Sequence, residues 1–306
     1  MLSQLTWGGV PVYALCMAAA AVISLIVLIG GGMRMGLSRA TLGLTGLSGV
    51  ALGYLGARIY YILAYHVVGR HGFSRIRFFS PYPFEYAMCG ALLGVLLSCV
   101  LSAWITREKH SRVLDAATLP ALVMLMLARA SEVFSDFGWG QVLTGEKMRF
   151  FPLAVTDMFG QWHGAVFFLE ALCAAVVLVY ALRQPVGEGR RFARALLWLA
   201  VTQIFCESLR AETLRWGFVR VQQVQCAVFA LLLLIWYSLK AKRSAKQLAL
   251  RLAVLAVCIG VTALMEFALD KWPWPNALCY AVMAAALLCL GIDVQGVLPS
   301  KEKTEK

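Results

Sequence analysis

The chain is predicted to be all-α: a polytopic integral membrane bundle with a seven-span body followed by two further spans. Three observations predict this. Hydrophobic residues make up 61% of the 306 positions and charged residues only 14%, with a mean hydropathy of +0.75. The apolar residues gather in runs able to cross a hydrocarbon core, which takes about 20 helical residues. Short, basic, polar connections separate those runs.

The first run, 11–31, is too long for the apolar region of a signal peptide and is followed by more spans, so it reads as a retained helix. The second, 41–66, carries the Gly-rich stretch Gly43 to Gly56, a candidate for a kink or a partly re-entrant segment. Spans at 84–105 and 115–134 follow. Next comes the longest outer connection, Ser135 to His163, polar and aromatic, with Asp136, Trp139, Glu146, Asp157 and Trp162. Such a loop is a candidate lid or surface-lying amphipathic segment. Further spans are expected at 164–182, 194–209, 222–239, 249–269 and 277–293, the one near 194 being short. The polar stretch Lys240 to Lys246 divides the chain into residues 1–240, the seven-span body, and 241–306, two appended helices and a tail.

Basic residues set the expected orientation. One side collects Arg34, Arg39, Arg107, Lys109, Arg112, Arg183, Arg190, Arg191, Arg194, Lys240 to Arg251, and the tail lysines Lys301, Lys303 and Lys306. They outnumber Arg70, Arg75, Arg77, Lys147, Arg149, Arg210, Arg215, Arg220 and Lys271 opposite. The positive-inside rule then puts the N-terminus outside and the C-terminus in the cytoplasm. The net charge of +12 belongs mainly to loops facing anionic headgroups, and no nucleic-acid motif accompanies it. Nine cysteines lie mostly within apolar runs without C-x-x-C or metal spacing, and the four histidines lack ligand spacing too. Nucleotide-binding and zinc-protease motifs are absent, so no metal or cofactor is expected.

Charges inside the spans are the functional clue. Arg129 stands near the end of the run from Leu119, where a guanidinium at the bilayer centre costs about 2.5–3.5 kcal/mol on insertion scales. Glu132 shares its helical face. Arg58, Glu170, and the pair Glu207 and Arg210 are the other intramembrane charges. Two internal ion pairs are one reading. The other is a shared outward cavity for an anionic headgroup, since Arg holds phosphate bidentately while apolar walls accept acyl chains. The small-residue stretch Gly90 to Gly94 reads as a helix-packing face.

The order of these motifs resembles the prolipoprotein diacylglyceryl transferases, across about residues 8–240. Pro11-Val-Tyr13-Ala-Leu-Cys-Met17 resembles the family's early W-Y-G-L-M, and Gly56-Ala-Arg58-Ile-Tyr-Tyr its G-G-R-x-G-Y. Cys89-Gly90-Ala-Leu-Leu-Gly94 is similar to H-G-G-L-I-G. The segment Ala128-Arg129-Ala-Ser-Glu132 through Gly140 falls on the signature G-R-x-G-N-F-x-N-x-E-x-x-G. Glu170 falls near its Y-E, Glu207-Ser-Leu-Arg210 on E-F-F-R, and Gln225 on the Gln of S-M-G-Q. Cys89 stands where the family has His, Glu132 where it has Asn, Ser135 and Phe137 where it has Asn and Glu, and Gln203 where it has Arg.

The resemblance implies a bacterial plasma-membrane enzyme that moves the diacylglyceryl group of phosphatidylglycerol to the lipobox cysteine of a prolipoprotein signal peptide. By it, Arg129, Glu132 and Cys89 are catalytic candidates. Arg129, Arg58, Tyr13, Gly140, Glu170, Gln203, Glu207 and Arg210 are substrate-binding candidates. The alternatives are a non-catalytic lipid-binding or assembly protein on the same scaffold and, third, an anionic-solute transporter, for which no internal repeat is seen.

Overall fold

The structure, a computed structural model, describes residues 5–68, 85–157, 159–216 and 219–298. The basic residues Arg70, Arg75, Arg77, Lys301, Lys303 and Lys306 of the orientation count, and the first residue of the 84–105 span, lie outside them. Nine α-helices run through the described residues: α1 Val12–Arg34, α2 Arg39–Ile62, α3 Met88–Thr106, α4 His110–Ser131, α5 Val166–Leu182, α6 Arg190–Leu209, α7 Val221–Lys240, α8 Ala245–Lys271 and α9 Asn276–Gln295. Eight are long and apolar enough to cross a membrane; α5 is apolar but has 17 residues. At 1.5 Å per residue α5 spans about 25 Å, a little under the hydrocarbon thickness. The segment near 194 is longer than expected, because Arg190 to Ala193 extend it to a full 20-residue span.

The chain forms two compact units. The first comprises Met1–Phe192 and Arg210–Val221, the second Ala193–Leu209 and Gln222–Lys306.

In the first unit α1 ends on Arg34, whose charge suits the carbonyl end of the helix. Ser38 opens α2 by accepting the Thr41 amide at 3.1 Å. The glycine-rich stretch stays helical, and α2 runs on into one π-helical turn, Leu63–Val68. Its glycines bring α3 into backbone contact. A Cβ on Gly90 would stand 2.2 Å from the Gly56 carbonyl, and one on Gly94 2.0 Å from that of Leu52. The expected packing face is therefore real, and Ser48, Ser98 and the Thr45 carbonyl add hydrogen bonds of 2.6 and 3.0 Å across it.

α4 holds the fully buried Asp115, whose carboxylate accepts the amides of Gly187 at 2.7 Å and Phe192 at 3.0 Å. The α5–α6 connection is thereby tied to α4, and the first amides of α6 gain an anionic partner. The loop after α4 is structured. It holds a three-residue hairpin, Ala154–Thr156 with Trp162–Gly164, and exposes Phe150, Phe151 and Phe159.

In the second unit a part-buried polar knot joins three helices. The Ser208 hydroxyl of α6 and the Gln223 amide of α7 donate to one Glu266 oxygen of α8, at 2.6 and 2.5 Å. Trp198 of α6 donates to Gln295 of α9 at 2.6 Å and lies over Gly291. The last two helices thus fold together with α6 and α7. Their connecting turn stacks Trp272 on Trp274, with ring centroids 4.8 Å apart.

Candidate functional site

Four charged side chains of the first unit converge. Arg129 comes from the last turn of α4, where the helix dipole favours a cation, and Glu132 from the 3-10 turn that follows. Glu170 lies one turn into α5, and Arg210 one residue past α6. All four are at most 8% exposed.

Their pairing is reciprocal. Arg210 grips Glu170 with two nearly parallel bonds, Nε to Oε1 at 3.0 Å and Nη2 to Oε2 at 2.7 Å, and its Nη2 also reaches Glu132 Oε2 at 3.1 Å. Arg129 donates through Nη1 to the other Glu132 oxygen, and its Nε stands 2.9 Å from Glu170 Oε2. Two guanidinium groups and two carboxylates form a closed neutral square, which is how buried charges escape most of their desolvation cost. The remaining arm of Arg129, Nη2, faces the Met88 sulfur at 3.2 Å, a weak acceptor. Tyr13, half-buried at the start of α1, lies within electrostatic range of Glu132, Arg129 and Arg210.

The loop after α4 assembles this square. Ser135 turns back to donate to the Glu132 carbonyl through both its amide and its hydroxyl, each at 2.9 Å. Gly138 lies flat on the Glu132 carboxylate. Its φ is +75°, and a Cβ there would stand 2.0 Å from Oε2, so only glycine closes the loop at this point. The Gly138 carbonyl accepts the Phe167 amide at 3.0 Å, and Trp139 accepts the Ala211 amide at 3.0 Å. Gly140 bridges to Arg210 and donates to Gly164 at 2.7 Å. Arg220 ties the Arg210 carbonyl at 3.1 Å.

Of the intramembrane charges expected to share one cavity, Arg129, Glu132, Glu170 and Arg210 pair with one another, while Arg58 pairs with Glu85. Arg58 is 2% exposed, pairs with Glu85 Oε2 at 2.8 Å, and lies 5.7 Å from the centres of the Tyr61 and Tyr86 rings. Cys89 is buried at the start of α3, next to Met88. Gln203 and Glu207 are buried on the part of α6 that belongs to the second unit. Sequence reasoning missed Glu85, Met88, Gly138 and Asp115. Glu85 and Asp115 lie near helix ends, where a carboxylate reads as a solvated terminus. Among the described residues no cluster of three or more His, Cys, Asp or Glu is arranged to hold a metal.

Outside the spans, the hairpin carries one tuned carboxylate. Desolvation pushes Asp157 up, but the amides of Gln161 and Phe159, each at 2.8 Å, and the His163 ring at 3.4 Å outweigh it. The carboxyl is held below its ordinary 3.8.

A multi-helix membrane body with a buried arginine–carboxylate cluster at the ends of its helices defines a polytopic integral membrane protein with a charged interior. Within that class the chain belongs to the prolipoprotein diacylglyceryl transferase family, whose model matches residues 2–239. The match ends at α7, leaving α8 and α9 beyond it. Relatives include the phosphatidylglycerol–prolipoprotein diacylglyceryl transferase of Listeria innocua, 21% identical over 220 residues, covering 69% of this chain and 79% of the relative. That of Bacillus cereus is 24% identical over 222 residues, with 69% and 80% covered. That of Clostridium novyi is 25% identical over 170 residues, with 53% and 66% covered.

Proposed function

We propose that the chain transfers the diacylglyceryl group of phosphatidylglycerol to the lipobox cysteine of a prolipoprotein signal peptide, releasing glycerol phosphate. The observation that carries this reading is the buried Arg129–Glu132–Glu170–Arg210 square, built by the family's signature segment. The cysteine sulfur attacks the glycerol carbon and forms the C–S bond. The C–O bond breaks, and its electron pair leaves on the phosphate oxygen. Arg129 and Arg210 stabilise the negative charge of the departing group, the larger part of such catalysis.

Glu170, held by both arginines, fixes them relative to each other. Glu132 has one bond to each arginine, so an incoming phosphate displaces it more readily than Glu170. Once displaced it is the carboxylate that takes the thiol proton. Tyr13 and Gly140 are assigned to substrate binding and Cys89 to catalysis on their motif positions. Arg58 acts by holding the start of α3 through Glu85. Gln203 and Glu207 are assigned to the signal-peptide side on their motif positions alone. The N-terminus faces outward and the C-terminus the cytoplasm, as the basic loops favour.

Incubating purified protein with phosphatidylglycerol and a lipobox peptide tests the reading. A diacylglyceryl mass gain on the cysteine with stoichiometric glycerol phosphate is expected. A second reading, a lipid-binding scaffold without turnover, draws support from one feature: both arginines are already neutralised by internal carboxylates. Phospholipid that copurifies without any peptide modification favours it.

A further inference from the structure

A cavity lies toward the ends of α1 and α5 away from the charged square. It runs between α1, α4 and α5 with a volume of about 300 Å³, at the lower end of the range for ligand pockets of about 300–1,000 Å³. Gly30 and Gly31 of α1 face it with Leu119 of α4 and Leu182 of α5, and Arg34 and Arg191 stand at its edge. Nothing lies within 4 Å of where a Cβ on Gly30 or Gly31 would be, so the glycines leave an open slot beside the helix. From Tyr13 to Gly30 along α1 is about 25 Å, so this slot is distinct from the charged square.

The rim offers one exposed cation and one buried donor without an acceptor. Among the described residues Arg34 is exposed and meets no carboxylate, and the buried Arg191 Nε finds no acceptor. The Arg191 Nη2 has only a long bond, 3.4 Å, to the Gln184 carbonyl. Neighbouring Arg112 is already committed to the Met35 carbonyl at 2.6 Å and to Glu108 at 3.3 Å. The one carboxylate beside Arg191, Asp115, is held by the amides of Gly187 and Phe192. An apolar slot ending at one exposed arginine and one arginine whose buried Nε lacks an acceptor, on a helix whose Ile26 and Ile29 are exposed, matches a lipid tail with an anionic head.

We propose that this groove binds one anionic phospholipid, an acyl chain lying along Gly30, Gly31, Leu119 and Leu182 and the phosphate between Arg34 and Arg191. The site is independent of the transferase reading and uses none of its residues.

The test is native mass spectrometry of the full chain, delipidated in detergent and titrated with dioctanoyl phosphatidic acid. Wild type is compared with the double variant Arg34→Gln/Arg191→Gln and with Gly31→Leu, which fills the slot but keeps both arginines. Wild type is expected to hold one more tight lipid than either variant, with affinity for that equivalent about thirty-fold weaker in the double variant. Dioctanoyl phosphatidylcholine is expected not to fill it, and glycerol phosphate at the same concentration not to displace the lipid. Equal lipid counts in all three folded proteins overturn the proposal. So does equal binding of phosphatidylcholine, which marks ordinary annular lipid, or displacement by glycerol phosphate, which marks a site for a soluble anion. Thermal unfolding of each variant confirms that the proteins compared are folded.

Discussion

In the proposed reaction Glu132 is the residue on which the chemistry turns, because its carboxylate occupies both arginines that would hold the phosphate. Replacing it with Gln leaves the square with one excess positive charge and removes the proposed base. Glu132→Gln is therefore expected to lower kcat by about 10²- to 10⁴-fold while lowering the KM for phosphatidylglycerol. A rise in KM with unchanged kcat would contradict the assigned role. Glu170 behaves differently, since it is gripped by both guanidinium groups and nearly sealed. Glu170→Ala leaves two buried cations with a single partner and is expected to destabilise the protein by about 3–5 kcal/mol, measured by thermal unfolding in detergent. The sequence pointed to Arg129 through the cost of a charge in an apolar run, and to Glu132 through helical spacing. It paired Glu207 with Arg210 by the same three-residue rule, yet Arg210 turns to Glu170. Arg210 leaves α6 after Leu209 to bridge to Gly140, whereas Glu132 follows the end of α4 in a 3-10 turn and keeps the helical spacing from Arg129.

Among the elements, the α2–α3 crossing and the hairpin after α4 make contrasting predictions. Gly94 meets the Leu52 carbonyl, backbone that cannot move aside as a side chain would. Gly94→Ala is expected to cost about 1–3 kcal/mol, read as a lower unfolding temperature, whereas Gly31→Ala, facing open space, is expected to change stability little. In the hairpin, Asp157 has its carboxyl held below 3.8 by its hydrogen bonds. That contribution is fully present above the unfolded value and is lost as pH falls through the lower folded value. Hydrogen exchange at the Phe159 and Gln161 amides, compared after correction for intrinsic rate, is expected to show protection that disappears only under strongly acidic conditions. All nine helices were legible from runs of apolar residues, because a span must satisfy its backbone internally and has a length set by the bilayer. The loop's structure was not legible. Its order comes from Gly138, Gly140 and Ser135 bonding to α5 and to the Arg210 segment, contacts between residues far apart in sequence that carry no periodicity.

For the whole molecule, the basic loops make orientation testable. Single cysteines introduced into a Cys-free background at Gly145 and at Glu188 are expected to react with a membrane-impermeant thiol reagent in whole cells only at Gly145; the opposite pattern would invert the proposed topology. The family match covers residues 2–239, while α8 and α9 are bound to α6 and α7 through Glu266 and Trp198. Glu266→Ala is accordingly expected to loosen the second unit, with a lower unfolding temperature.

The role proposed for Arg129 and Arg210 is the phosphate site of a working transferase. It is tested most directly by the rate of diacylglyceryl mass gain on a lipobox peptide, in wild type, Arg129→Ala and Arg210→Ala at saturating phosphatidylglycerol. The expected result is modification by wild type and a loss of about 10²-fold or more in each folded variant. Modification by Arg129→Ala at the wild-type rate, or none by wild type, would contradict it.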